Sequence, residues 1–105
     1  MRLVEVAYRD TTGFPNEETF GLRTQIRRAA VSVPSNIAEG AARNSSRELI
    51  QFLGFARGSL AELETQLELA VRLGLLSDIA VCIKQADRVG KLVSALQKSL
   101  RSKEV

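Results

Sequence analysis

Residues 22–40 read LRTQIRRAAVSVPSNIAEG. Gln25, Arg28, Ser32, Asn36 and Glu39 follow one another at intervals of three, four, four and three, which places all five on one face of a helix. Leu22, Ile26, Ala29, Val33 and Ile37 share a second face about 100° away. Phe20, Val31 and Ala38 fall on a third. A helix that is apolar on two separate sides cannot bury both in a small single-layer contact. The polar stripe between them is therefore expected to be confined within an assembly.

Pro34 lies inside this pattern, removing one backbone hydrogen bond and crowding the carbonyl four residues back. Both stripes resume after it, which predicts a kink rather than an end, with Gly40 starting the exit. Upstream, residues 11–15 (TTGFP) read as a break. Asn16 is the expected N-cap of the second helix, with Glu17 and Glu18 at its positive end. Residues 2–10 read as a short first helix with Leu3, Val6 and Ala7 on one side.

Downstream, Ser45 and Glu48 match a capping box for a third helix over residues 46–73. Leu49, Leu53, Ala56, Leu60, Leu63, Leu67 and Ala70 alternate four and three apart as a narrow seam. Gly74 is the expected residue just past that helix, and Ser77 the cap of a fourth after a very short turn. Ile79, Cys82, Ala86, Val89, Val93, Leu96 and Leu100 form its matching seam. Two such helices on so short a turn pack antiparallel. The fold class is thus all-α, in one domain spanning residues 1–105.

The chain has 105 residues, no histidine and a single cysteine. Without histidine, Ser–His pairs and the Glu-x-x-His di-metal motif of helix bundles are absent, and no Gly-rich phosphate loop occurs. No catalytic residue, metal ligand or cofactor is assigned, and the chain is read as a non-enzyme. Glu64 and Glu68 are read with Arg57 and Arg72 as surface pairs, and Cys82 as a buried structural thiol. One cysteine, no secretory signal and no apolar run near the roughly 20 residues of a membrane span point to a cytoplasmic protein.

Two polar constellations remain. With a formal charge of +3, Lys84, Arg88, Lys91 and Lys98 line the outermost side of the fourth helix. They read foremost as a solvated face and secondarily as a cationic strip for RNA or DNA, with no interleaved aromatic for base stacking. Arg28 sits in the polar stripe, and Ser59, Glu62 and Gln66 occupy a comparable flank of the third helix beside Phe52 and Phe55. Arg28 paired with Glu39 or Glu62 would form a confined network, of the kind that specifies assembly geometry more often than it performs chemistry.

FPNEE at 14–18, Leu22 with QIRRAA at 25–30, SVPSNIAEG at 32–40 and Arg43 carry a resemblance, extended by Phe52-Leu53, ARGSL at 56–60 and ELETQL at 62–67. On these residues the chain resembles the four-helix-bundle family first described as proteins encoded by intervening sequences in bacterial large-subunit ribosomal RNA genes. It is also similar to accessory proteins of diversity-generating retroelements. The resemblance implies an up-down antiparallel bundle assembling as a ring, commonly a pentamer. For the retroelement relatives it implies contact with a reverse transcriptase and nucleic acid. Family members carry a longer first helix, often with a Trp before the stretch matching Leu3 to Arg9, so a short or truncated first helix is expected here. The resulting expectation is a homo-oligomeric helical scaffold. The alternative is a weak, sequence-independent nucleic-acid-binding adaptor that works with a partner enzyme.

Overall fold

A computed structural model describes residues 1–15 and 21–103. Four helices make up the described chain: α1 (Arg2–Thr11), α2 (Leu22–Ala41), α3 (Ser46–Arg72) and α4 (Ala80–Lys103). There is no strand among the described residues. Backbone contacts run from α1 to α2, α2 to α3, α3 to α4 and α4 back to α1. The helices thus occupy the four corners of a bundle 50 × 22 × 19 Å in extent.

The direction of neighbouring helices follows from their contacts. Ser32 meets Ser59, while Gly40 lies against Phe52 and Leu49, so position falls along α3 as it rises along α2. Gly90 lies against Leu60, and Gln97 against Gly54 and Ile50. Both pairs are antiparallel.

The apolar face expected on α2 is the one that packs: Leu22, Ile26, Ala29 and Val33 are buried and Ile37 packs against them. Opposite, Leu53, Ala56, Leu60, Leu63, Leu67 and Ala70 of α3 are buried in the expected heptad register. Leu3, Val6 and Ala7 of α1 close the core. Phe14, just past α1, is buried with them. α2 continues through Pro34 as a helix to Ala41. Its start at Gly21 follows residues 16–20, so the Asn16 cap and Phe20 lie outside the described residues.

Ser45 caps α3 as expected, its hydroxyl accepting from the Glu48 amide at 3.1 Å. At the other end the Leu75 amide donates to Ala70 and the Gly74 amide to Val71, with Gly74 at φ +77°. That closing pattern needs a left-handed residue, which Gly supplies without steric cost. α4 begins later than expected. Asp78, not Ser77, caps it, with Oδ1 accepting from the Ala80 amide at 2.9 Å, because the closing turn of α3 takes up Leu75 and Leu76.

One seam position of α4 differs. Leu96 is 42% exposed, whereas Gln97 is 2% exposed. Gln97 turns to α3, where its Nε2 donates to the Ile50 carbonyl at 3.2 Å. Leu96 sits about 100° round the helix, away from the α3-facing side that Gln97 takes.

Candidate functional site

The polar stripe of α2 and the flank of α3 meet in a directional hydrogen-bond chain. Ser59 Oγ donates to the Phe55 carbonyl at 3.2 Å. That uses its single proton, so across the 2.8 Å contact Ser32 Oγ is the donor and Ser59 Oγ the acceptor. Asn36 Nδ2 in turn donates to Ser32 Oγ at 2.9 Å and to the Ser32 carbonyl at 2.8 Å. Two small hydroxyl side chains therefore join the helices where larger ones would force them apart.

Gln25, Arg28, Ser32, Ser59, Glu62 and Gln66 then line one groove of about 310 Å³, so most of the stripe predicted from sequence comes together. Gln66 Oε1 is buried there without a hydrogen-bond partner. The expected Arg28 ion pair is not formed in the single chain. Arg28, Glu39 and Glu62 are all exposed, and Glu39 takes its salt bridge from Arg43, one turn on, at 3.1 Å. Glu39 stands eleven residues, about 16 Å, from Arg28 along α2, and an i,i+4 partner wins over a distant one. Beside the groove, Phe55 (48%) and Leu69 (46%) are exposed on α3, two heptads apart. Phe52 packs edge-on against Phe55 at 5.4 Å and takes Arg43 over its face at 5.0 Å.

The α4 strip has a mixed character. Lys84, Arg88, Lys91 and Lys98 are all exposed. Lys84, Arg88 and Lys91 share a groove with Asp87, and Lys98 lies beyond it. Asp87 also faces Glu64 of α3. Partial burial raises the Glu64 carboxyl, and the hydrogen bond to Asp87, its charge and that of Glu68 add to the shift. Glu64 is thus aimed at α4 rather than at an arginine of its own helix, contrary to the surface-pair expectation, because it lies on the α4-facing side of the α3 seam. Cys82 is fully buried. Desolvation, then the Asp10 charge, push its thiol up to about 11, so it stays protonated and unreactive at neutral pH.

Gln97 and the clasp that joins α1 to α2 went unread in the sequence. Arg27 Nε donates to the buried Thr11 hydroxyl at 2.9 Å and Nη2 to the Tyr8 carbonyl at 3.2 Å. Its guanidinium lies over the Tyr8 ring, 4.5 Å from the centroid. Gln97 carried a signal, since it continues the spacing of Ala86 and Val93 by four. Arg27 carried none, because nothing in a one-dimensional pattern pairs it with residues sixteen and nineteen positions earlier.

No group of His, Cys, Asp and Glu able to hold a metal ion occurs among the described residues, and no described helix is long and apolar enough to cross a membrane. No curated protein matches the chain. The model of the 23S rRNA-intervening sequence proteins matches residues 1–95, a span that takes in α1, α2, α3 and most of α4. With that match and four helices packed corner to corner, the chain belongs to the 23S rRNA-intervening sequence protein family.

Proposed function

We propose that the chain is a non-enzymatic, homo-oligomeric helical scaffold whose subunits meet on the outer face of α2 and α3. The observation that carries this reading is the exposed pair Phe55 and Leu69 beside the Ser32–Ser59 groove. They stand fourteen residues, about 21 Å, apart along α3, and serve as two separate apolar anchors beside the polar groove. The unpartnered Gln66 Oε1 supports the reading, because a buried acceptor without a donor costs about 1–3 kcal/mol and a neighbouring subunit can supply one. A ring is the closed form of a head-to-tail contact, and a pentamer is the size the family resemblance favours.

Light scattering at micromolar concentration tests it. The expected mass is a multiple of 11.5 kDa, and Phe55→Glu with Leu69→Glu lowers it to one chain without loss of helicity. A wild-type mass of 11.5 kDa overturns it. The second reading, a nucleic-acid adaptor, draws support from the exposure of Lys84, Arg88, Lys91 and Lys98 on one side of α4. In a ring, several weak copies of such a strip act together on one polymer.

A further inference from the structure

We propose that the groove on the outer side of α2, between the Arg27–Tyr8 clasp and Arg28, is a phosphoryl-binding site. The groove is about 430 Å³ and is lined by Arg27 and Arg28 together with the hydroxyl-bearing Tyr8, Thr24, Ser32 and Ser35. That volume lies within the range of small-ligand clefts.

Arg27 is already ordered. Its hydrogen bonds to Thr11 and the Tyr8 carbonyl use two of five N–H donors, and the Tyr8 ring supports its plane. Three donors remain for a ligand, and the side-chain entropy that anion binding would otherwise cost has been spent in folding. Arg28 adds a second fork, and planar guanidinium forks match phosphate oxygens in pairs.

The charge environment separates this groove from the α4 strip. Among the described residues no carboxylate lines it, and neither Arg27 nor Arg28 has a salt bridge there. The α4 groove holds Asp87 between its cations, with Glu64 facing it. Glu62 lies in the adjoining groove that Arg28 also lines, so an anion meets positive charge that is less cancelled on α2 than on α4. The phosphoryl group can come from a nucleic-acid backbone or from a free mononucleotide or phosphate ion. The site is lined by one chain, but Arg28 and Ser32 also border the groove at which subunits are proposed to meet, so the mass of each variant separates loss of the site from loss of assembly.

Fluorescence anisotropy of a labelled oligouridylate tests it, competed with uridine monophosphate and inorganic phosphate, with light scattering and circular dichroism run on each variant. Two phosphates held on a single strand give a slope of log K against log salt of about −1.4, and Arg28→Ala flattens it by about 0.7. Ser35→Glu, an exposed position that places a carboxylate in the groove, weakens binding tenfold or more with helicity and mass unchanged. The triple variant Lys84→Gln, Lys91→Gln, Lys98→Gln retains most of the affinity. Competition by the mononucleotide at equal phosphate concentration assigns the site to a small phosphate ligand, and its failure assigns it to a polymer. Absence of binding by oligouridylate, mononucleotide and phosphate alike overturns the proposal. So does loss of binding in the α4 triple variant equal to or greater than in the α2 variants.

Discussion

The α2–α3 and α3–α4 contacts are built from similar residues and packed to different standards. At Gly40 a Cβ would stand 2.7 Å from Phe52 Cβ and 3.1 Å from Leu49 Cδ1, closer than side chains tolerate, and one hydroxyl pair bridges the same helices at 2.8 Å. At Gly90, the corresponding small residue of α4, a Cβ would find Leu60 Cδ1 at an ordinary 3.7 Å. A groove of about 500 Å³ separates α3 from α4 there, with Glu64 and Asp87 in its wall. A glycine closes a helix pair only where its neighbour across the gap is also held close. On the α4 side, Glu64 and Asp87 line the groove and Gln97 bridges the two helices with hydrogen bonds to Ile50 and Arg57.

The largest expected effect breaks the tight contact. Gly40→Val drives a side chain into Phe52 and Leu49 and costs about 1–3 kcal/mol, or about 4–8 °C in melting temperature per kcal/mol for a domain this size. Gly90→Ala, into open space in a helix interior, gains about 0.5–1 kcal/mol. Thermal melts of the two variants moving in the same direction would refute the contrast between the contacts.

Next in size is Gln97→Ala. It removes the donor to the Ile50 carbonyl and the acceptor that Arg57 Nη1 reaches at 3.2 Å. Two hydrogen bonds at about 0.5–1.5 kcal/mol each set the cost near 1–2 kcal/mol in a urea titration. An unchanged midpoint would mean that α3 and α4 are held by apolar packing alone.

The smallest effect is at the carboxylate pair. Glu64 titrates above its ordinary value in the folded chain, so the folded state holds that proton more tightly than the unfolded state. This contribution to stability is therefore greatest at low pH and is lost as pH rises through the folded-state value. Glu64→Gln removes the repulsion. It should raise the neutral-pH melting temperature by about 2–4 °C, within the 0.5 kcal/mol usual for surface sites. The gain should vanish near pH 4, where glutamate is ordinarily about half protonated. A gain that persisted at pH 4 would place its origin outside the charge pair.

Local rules sufficed for the helices and for most of the core. The heptad seam from Leu49 to Ala70, the Ser45 cap and the Gly74 stop depend on neighbours three to four residues away, and sequence spacing reports those directly. The same spacing gathered Gln25, Arg28, Ser32, Ser59, Glu62 and Gln66 around one groove, since two amphipathic helices in known register must bring their flanks together. Partner choice was not local. Glu39 joined Arg43 instead of Arg28, Glu64 turned to Asp87, Arg27 clasped α1, and Gln97 took the buried place beside an exposed Leu96. Periodicity thus determined which face of each helix is apolar. The mutual rotation of the helices decided which polar groups are paired across them, because that depends on distances between segments far apart in the chain.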